Sequence, residues 1–88
     1  MKLTFRGSFL RDVKKVRDPQ LRSDVRKAIL ALEAAESLRD VAGVKKLSGS
    51  SGYYRMKVRD YRIGFALDDA GLELVRLLPR KAIYRYFP

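Results

Sequence analysis

The sequence predicts an α+β domain of order β-α-α-β-β-β: a mainly antiparallel sheet, a helical hairpin packed on one of its faces, and a short C-terminal helical tail. Three features lead to that fold class. Residues 9–35 carry apolar side chains at helical spacing in two runs, broken at Asp18-Pro19. Residues 53–67 alternate apolar and polar side chains in two runs separated by a tight turn. A mostly apolar run, residues 72–78, follows a second turn. Strands joined by such short turns are antiparallel, and a helical hairpin has to bury its apolar stripe against them.

Taken in order, residues 1–5 alternate, Leu3 and Phe5 against Lys2 and Thr4, and read as a short strand. Gly7-Ser8 breaks the chain, and Ser8 is placed to cap a helix. Phe9, Leu10, Val13 and Val16 then recur at helical spacing, which predicts a helix to about residue 17. Asp18 suits the cap of the next helix and Pro19 its first position. Leu21, Val25, Ala28, Ile29, Leu32 and Ala35 form one stripe, with Arg22, Arg26, Lys27 and Glu33 opposite, so this helix runs to about residue 37 or 38. The tight break between the two makes a helical hairpin.

Residues 39–52 read as a connecting loop, its end Ser48-Gly49-Ser50-Ser51-Gly52 flexible by composition. In the first strand of the meander Tyr54, Met56 and Val58 face one way, and Tyr53, Arg55, Lys57 and Arg59 the other. Tyr61, Ile63, Phe65 and Leu67 are the apolar face of the second, and Asp60 sits at the turn between them. Asp68-Asp69-Ala70-Gly71 is the second turn. Residues 72–78, with Arg76 standing out among them, read as an interior strand covered on both faces, ended by Pro79.

The chain has 88 residues, which suits a single domain, 1–88. It carries 20 basic and 10 acidic side chains, a net charge of +10. Both halves are basic, so the charge is not a tail on a neutral globule. Such an excess favours nucleic acid or an acidic partner protein. There is no Cys and no His. That removes disulfides, the usual transition-metal ligands and the usual nucleophilic triads, and no metal or cofactor is expected. Any catalysis has to use Lys, Arg, Tyr, Asp or Glu. No apolar run approaches the roughly 18 residues of a membrane span, and residues 1–5 do not resemble a signal peptide, so a cytoplasmic protein is expected.

With the hairpin on one face of the sheet, the other face is expected to be open and to carry Arg55, Lys57 and Arg59, spaced roughly 7 Å apart, with Arg62 on the next strand. A phosphate backbone would relieve the repulsion among these four cations and release its own counterions. Lys57 alone of the four gives up a proton readily, which makes it the candidate general base. In the tail, Arg80 and Tyr84 lie four apart and share a face of a helical turn. An aromatic ring beside an arginine can stack on an unstacked base. The plainer alternatives are a solvated charged face and a Tyr84 that only packs.

The run Tyr53-Tyr54-Arg55-Met56-Lys57-Val58-Arg59-Asp60-Tyr61-Arg62-Ile63 resembles the signature of the RelE-like toxins of the RelE/ParE superfamily. The ending Leu78-Pro79-Arg80-Lys81-Ala82-Ile83-Tyr84-Arg85 is similar to their C-terminal motif, and Lys45-Lys46-Leu47 before a glycine-containing loop also fits. The resemblance implies the toxin of a type II toxin–antitoxin system, a metal-independent endoribonuclease that cuts mRNA in the ribosomal A site. Its ribose 2′-hydroxyl attacks the adjacent phosphorus and leaves a 2′,3′-cyclic phosphate and a 5′-hydroxyl. By the same resemblance Lys57 is general base or electrostatic helper, Arg62 stabilises the transition state, Arg80 assists the transition state or protonates the leaving oxygen, and Tyr84 stacks on or orients the nucleotide. Arg55, Arg59, Lys45, Lys46, Lys81 and Arg85 would hold the RNA backbone. A cognate antitoxin is the implied protein partner. Two positions depart from the family pattern, Pro79 where many relatives carry His and Ala82 where many carry an acid, and they bear on the acid–base assignment. Two other readings stay open: a ParE-like toxin acting on DNA gyrase without cleaving nucleic acid, and an RNA-binding or corepressor module.

Overall fold

The computed structural model describes residues 1–49 and 51–88; Ser50, within the loop expected at 48–52, lies outside the described residues. The chain opens with β1 (Leu3–Phe5), α1 (Gly7–Lys15) and α2 (Pro19–Ala34). A single 3-10 turn (Leu38–Asp40) leads to β2 (Val44–Lys46). Then β3 (Tyr53–Val58), β4 (Tyr61–Asp68) and β5 (Gly71–Pro79) form a meander, and α3 (Arg80–Tyr86) follows directly. The strands make one sheet in the order β1-β5-β4-β3-β2. β1 runs parallel to β5, with Leu3 opposite Leu72 and Phe5 opposite Leu74, while the other pairings are antiparallel. The α+β class, the helical hairpin and the helical tail are as expected.

β2 is an addition to the expected order. Its three residues include Lys45 and Lys46 and are too short to alternate visibly. They become a strand because the edge of β3 offers a partner, Lys45 opposite Arg55 and Lys46 opposite Tyr54. α2 begins as its sequence predicts, the Asp18 carboxylate accepting the Gln20 N–H at 2.9 Å with Pro19 in the first turn. It ends at Ala34, a turn earlier than the apolar stripe suggests. Ser37 instead caps the 3-10 turn, its hydroxyl accepting from the Arg39 N–H at 3.3 Å.

Ser8 does not cap α1. That position falls to Arg6, which makes no side-chain capping bond. The Ser8 hydroxyl donates to the Val75 carbonyl at 2.5 Å. One turn later, Asp12 accepts from the Leu77 N–H at 2.9 Å and from the Arg76 guanidinium at 2.8 and 3.2 Å. β1 stops at Phe5, opposite Leu74, so β5 has an unpaired edge beyond that point. Two side chains of α1 satisfy it, which closes a strand edge that would otherwise invite a second chain.

The main core lies between the helical hairpin and the sheet. Phe9, Val16, Leu21, Val25, Ala28 and Leu32 meet Met56, Val58, Ile63, Phe65, Leu72, Leu74 and Leu77. Full burial of each large apolar side chain contributes roughly 1.5–3 kcal/mol. A second, smaller cluster of Val75, Ile83 and Phe87 lies with α3, with Leu47 and Leu78 packed beside it. A bulge supplies it: Gly64 faces Arg76 and Phe65 faces Leu74, so Val75 is the extra residue between them. The sheet face expected to be open is therefore partly covered by α3, because Ile83 and Phe87 supply an apolar stripe one helical turn long. No helix among the described residues is long and apolar enough to cross a membrane.

Candidate nucleic-acid interface

The candidate site lies where β3, β4 and the start of α3 meet. Met56 and Val58 of β3 point into the core, which turns Tyr53, Arg55 and Lys57 to the opposite face. That face is the one α3 covers. The Tyr53 ring meets Phe87 edge to face at 5.8 Å, and the Arg55 guanidinium lies 5.9 Å from the centre of the Tyr84 ring. Lys57 sits directly opposite Arg62, and Arg62 opposite Leu78. α3 therefore starts beside Arg62, and the Arg80 N–H donates to the Asp60 carbonyl at 2.7 Å, tying the helix to the β3–β4 turn. Lys57, Arg62 and Arg80 gather at that end of the sheet. Arg55 and Tyr84 lie farther along, with Lys45 across from Arg55.

A cavity of about 560 Å³ opens at this second end, lined by Lys45, Lys46, Leu47, Ser48, Gly49, Arg55, Tyr84, Phe87 and Pro88. Tyr84 is 61% exposed, so its ring presents a free surface there. Lys81 and Arg85 are exposed on α3, one turn apart, with Arg85 5.9 Å from the Tyr86 ring centre; neither lines this cavity. Of the two aromatic residues that follow, Phe87 packs inward and Tyr86 does not.

Two expected members of the cationic face are placed differently. Arg62 is only 8% exposed, sunk under the turn rather than projecting from it. Its Nη1 donates to the Arg59 carbonyl at 3.0 Å and the Tyr61 carbonyl at 2.8 Å. Arg59 leaves the face altogether. β3 ends at Val58, so strand alternation stops there, and Arg59 takes a left-handed turn conformation with φ 54. Its Nε donates to the Asp24 carboxylate on α2. That hydrogen bond holds the Asp24 carboxyl below the ordinary carboxylate range and raises the Arg59 guanidinium above its own.

Arg55, Lys57, Arg62 and Arg80 have no carboxylate partner among the described residues. No group of three or more potential metal ligands occurs among the described residues either. The candidate site is thus cations and a phenol, groups whose charge and hydrogen bonds suit a phosphate. Sequence reasoning missed Gly64, whose lack of a side chain leaves room for the Phe87 ring that seats α3. A glycine inside a strand was the available signal. It also missed Asp24 and Asp12, acids that ordinary helix patterning assigns to solvent.

A family model described as the ParE toxin of the type II toxin–antitoxin system, parDE, matches residues 3–84. Toxin RelE3 of Methanocaldococcus jannaschii is 36% identical over 89 residues, spanning 100% of both chains. The chain belongs to the RelE/ParE superfamily of toxins. It is a RelE-like toxin of a type II toxin–antitoxin system. Among solved members of the superfamily, the RelB–RelE antitoxin–toxin complex of Methanococcus jannaschii matches at 33% identity and TM-score 0.79, over 96% of this chain and 98% of that one. The archaeal RelE–RelB complex of Pyrococcus horikoshii OT3 shares the fold at 17% identity and TM-score 0.73, over 93% and 97% of the two chains.

Proposed function

We propose that this toxin is an endoribonuclease that cuts mRNA, in the ribosomal A site, without a metal. The observation that carries the reading is the pairing of Lys57 with Arg62 across β3 and β4, with Arg80 starting α3 beside them and Tyr84 over Arg55. Lys57 takes the proton of the ribose 2′-hydroxyl as its oxygen attacks the adjacent phosphorus. Arg62 donates to the phosphoryl oxygens as charge builds on them, the largest contribution to the rate. Arg80 steadies the departing 5′-oxygen. A guanidinium is too weak an acid to give that oxygen its proton, and Pro79 stands where many relatives carry His, so the proton comes from water. The products are a 2′,3′-cyclic phosphate and a 5′-hydroxyl. Tyr84 stacks on the base, Arg55, Lys45 and Lys46 hold the backbone, and Lys81 and Arg85 extend the positive field along α3.

The solved relatives named above are complexes with RelB. Their likeness supports a cognate antitoxin as partner here, and a net charge of +10 suits one whose binding segment is acidic and apolar. The test is incubation of the purified toxin with ribosome-bound mRNA and analysis of the new ends. Arg62→Ala is expected to lower cleavage by about 10²–10³-fold. If Arg62→Ala and Arg80→Ala leave toxicity unchanged, the nuclease reading fails. The ParE description of the matched family favours one second reading, action on DNA gyrase. Inhibition of supercoiling without RNA cleavage would select it.

A further inference from the structure

Arg59 is the only residue other than glycine with a left-handed backbone among the described residues, at φ 54. A side chain crowds the carbonyl in that conformation, which is why Gly or Asn usually occupies it. Arg59 holds it between two anchors. Its side chain is bound to the Asp24 carboxylate on α2. Its carbonyl accepts from Arg62 Nη1 at 3.0 Å, a nitrogen that also reaches the Tyr61 carbonyl at 2.8 Å. Asp24 is itself fixed, its other oxygen accepting from the Gln20 side chain at 3.2 Å. The remaining Arg62 nitrogens, Nε and Nη2, have no hydrogen-bond partner among the described residues, and neither is sealed from solvent. One edge of the guanidinium is thus clamped by the turn and the other is left to donate.

We propose that Arg59 is a positioning residue: the Asp24–Arg59 pair holds the β3–β4 turn in its left-handed form, and the turn's carbonyl aims the free edge of Arg62 at the scissile phosphate. This rests on the reading of Arg62 given above. Flipping the turn would rotate the Arg59 carbonyl away and leave the guanidinium held by the Tyr61 carbonyl alone, free to swing about it. The electrostatics agree. The Asp24 hydrogen bond, with the fields of Asp24, Asp18 and Asp60 behind it, raises the Arg59 pKa and pairs its charge at the protein surface. A cation so engaged offers little to an RNA backbone.

Glycine adopts this backbone without strain and alanine does not, so the two substitutions separate the roles. Cleavage of ribosome-bound mRNA is measured for Arg59→Gly, Arg59→Ala, Asp24→Asn and the Asp24→Asn/Arg59→Gly double variant, with thermal melts for each. Arg59→Gly is expected to stay within about threefold of the unsubstituted toxin. Arg59→Ala and Asp24→Asn are expected to lose roughly ten- to a hundredfold in kcat at unchanged KM. The double variant should match Arg59→Gly, because a glycine turn no longer needs Asp24. Equal losses in Arg59→Gly and Arg59→Ala, with raised KM and weaker salt dependence, would make Arg59 an RNA contact and overturn the proposal. A second readout is independent of activity. The Arg62 guanidinium protons in NMR should exchange slowly in the unsubstituted protein and Arg59→Gly, and rapidly in Arg59→Ala and Asp24→Asn. If no form cleaves RNA but this pattern holds, the nuclease reading falls and the clamp stands; rapid exchange in every form removes the clamp.

Discussion

The Phe87 ring lies so close to Gly64 that a Cβ there would stand 2.7 Å from two of its carbons. This contact seats α3 on the sheet, and α3 carries Tyr84 over Arg55. Gly64→Ala cannot be absorbed without moving the ring, since Phe87 is 4% exposed and held edge to face by Tyr53. Gly64→Ala is expected to cost about 1–3 kcal/mol by overpacking, and Phe87→Ala about 3 kcal/mol by leaving a cavity. Both should weaken growth arrest more than a core change of equal cost beneath the helical hairpin, such as Leu32→Ala. Thermal denaturation beside a toxicity assay checks this.

Asp12 is held by Arg76 and the Leu77 N–H together, with its side chain 5% exposed. Asp12→Ala leaves a partly buried guanidinium and a backbone donor without their acceptor. The expected loss is about 3–5 kcal/mol, a fall of at least roughly 12 °C in Tm for a domain of this size. Asp12→Asn keeps an acceptor and should lose less. Calorimetry on both variants measures the difference.

Asp24 has its carboxyl pKa lowered in the folded protein by the Arg59 hydrogen bond. A group that binds its proton less tightly when folded stabilises the fold above the unfolded carboxylate pKa, about 3.9. That contribution is lost as pH falls through the lower folded value. Asp24→Asn should therefore be less stable than the unsubstituted toxin near neutral pH, and the gap should close as acid protonates the Asp24 carboxyl of the folded protein. Urea midpoints measured across this range test the sign.

Under the proposed function, salt dependence should separate cations that contact RNA from those that do not. Each phosphate contact on single-stranded RNA adds about 0.7 to the slope of log affinity against log salt. Arg55→Ala is expected to lower the slope by about that amount, and Arg59→Ala to leave it unchanged. Fluorescence anisotropy with a short RNA at several salt concentrations measures both.

The elements with a long, regular pattern were readable from sequence: the two helices, split by Asp18-Pro19, and the three strands of the meander, whose turns hold Asp60 and Asp68-Asp69-Ala70-Gly71. So was the shared sheet face of Arg55, Lys57 and Arg62, which follows from strand register once Tyr53–Val58 and Tyr61–Asp68 pair. What could not be read depends on neighbours distant in sequence. β2 exists only because β3 has an edge for it. Ser8 forgoes its capping role because the Val75 carbonyl lies within reach. Arg59 was counted as the next step of an alternating strand; an arginine gives no sign of a left-handed turn, and its partner sits on another element. Arg62 kept its register but not its exposure, because two carbonyls of the turn draw it inward.

The parallel pairing of β1 with β5 joins residues 69 positions apart, Leu3 and Leu72. Contacts so far apart form only after the intervening chain is present and its ends have met. Arg80 and Tyr84 come later still. A nascent chain stopped before residue 80 would hold the cations of β3 and β4 on an unfinished sheet with no tail beside them. The cations of β3 and β4 therefore gain their neighbours on α3 only after Arg80 and Tyr84 have joined the growing chain.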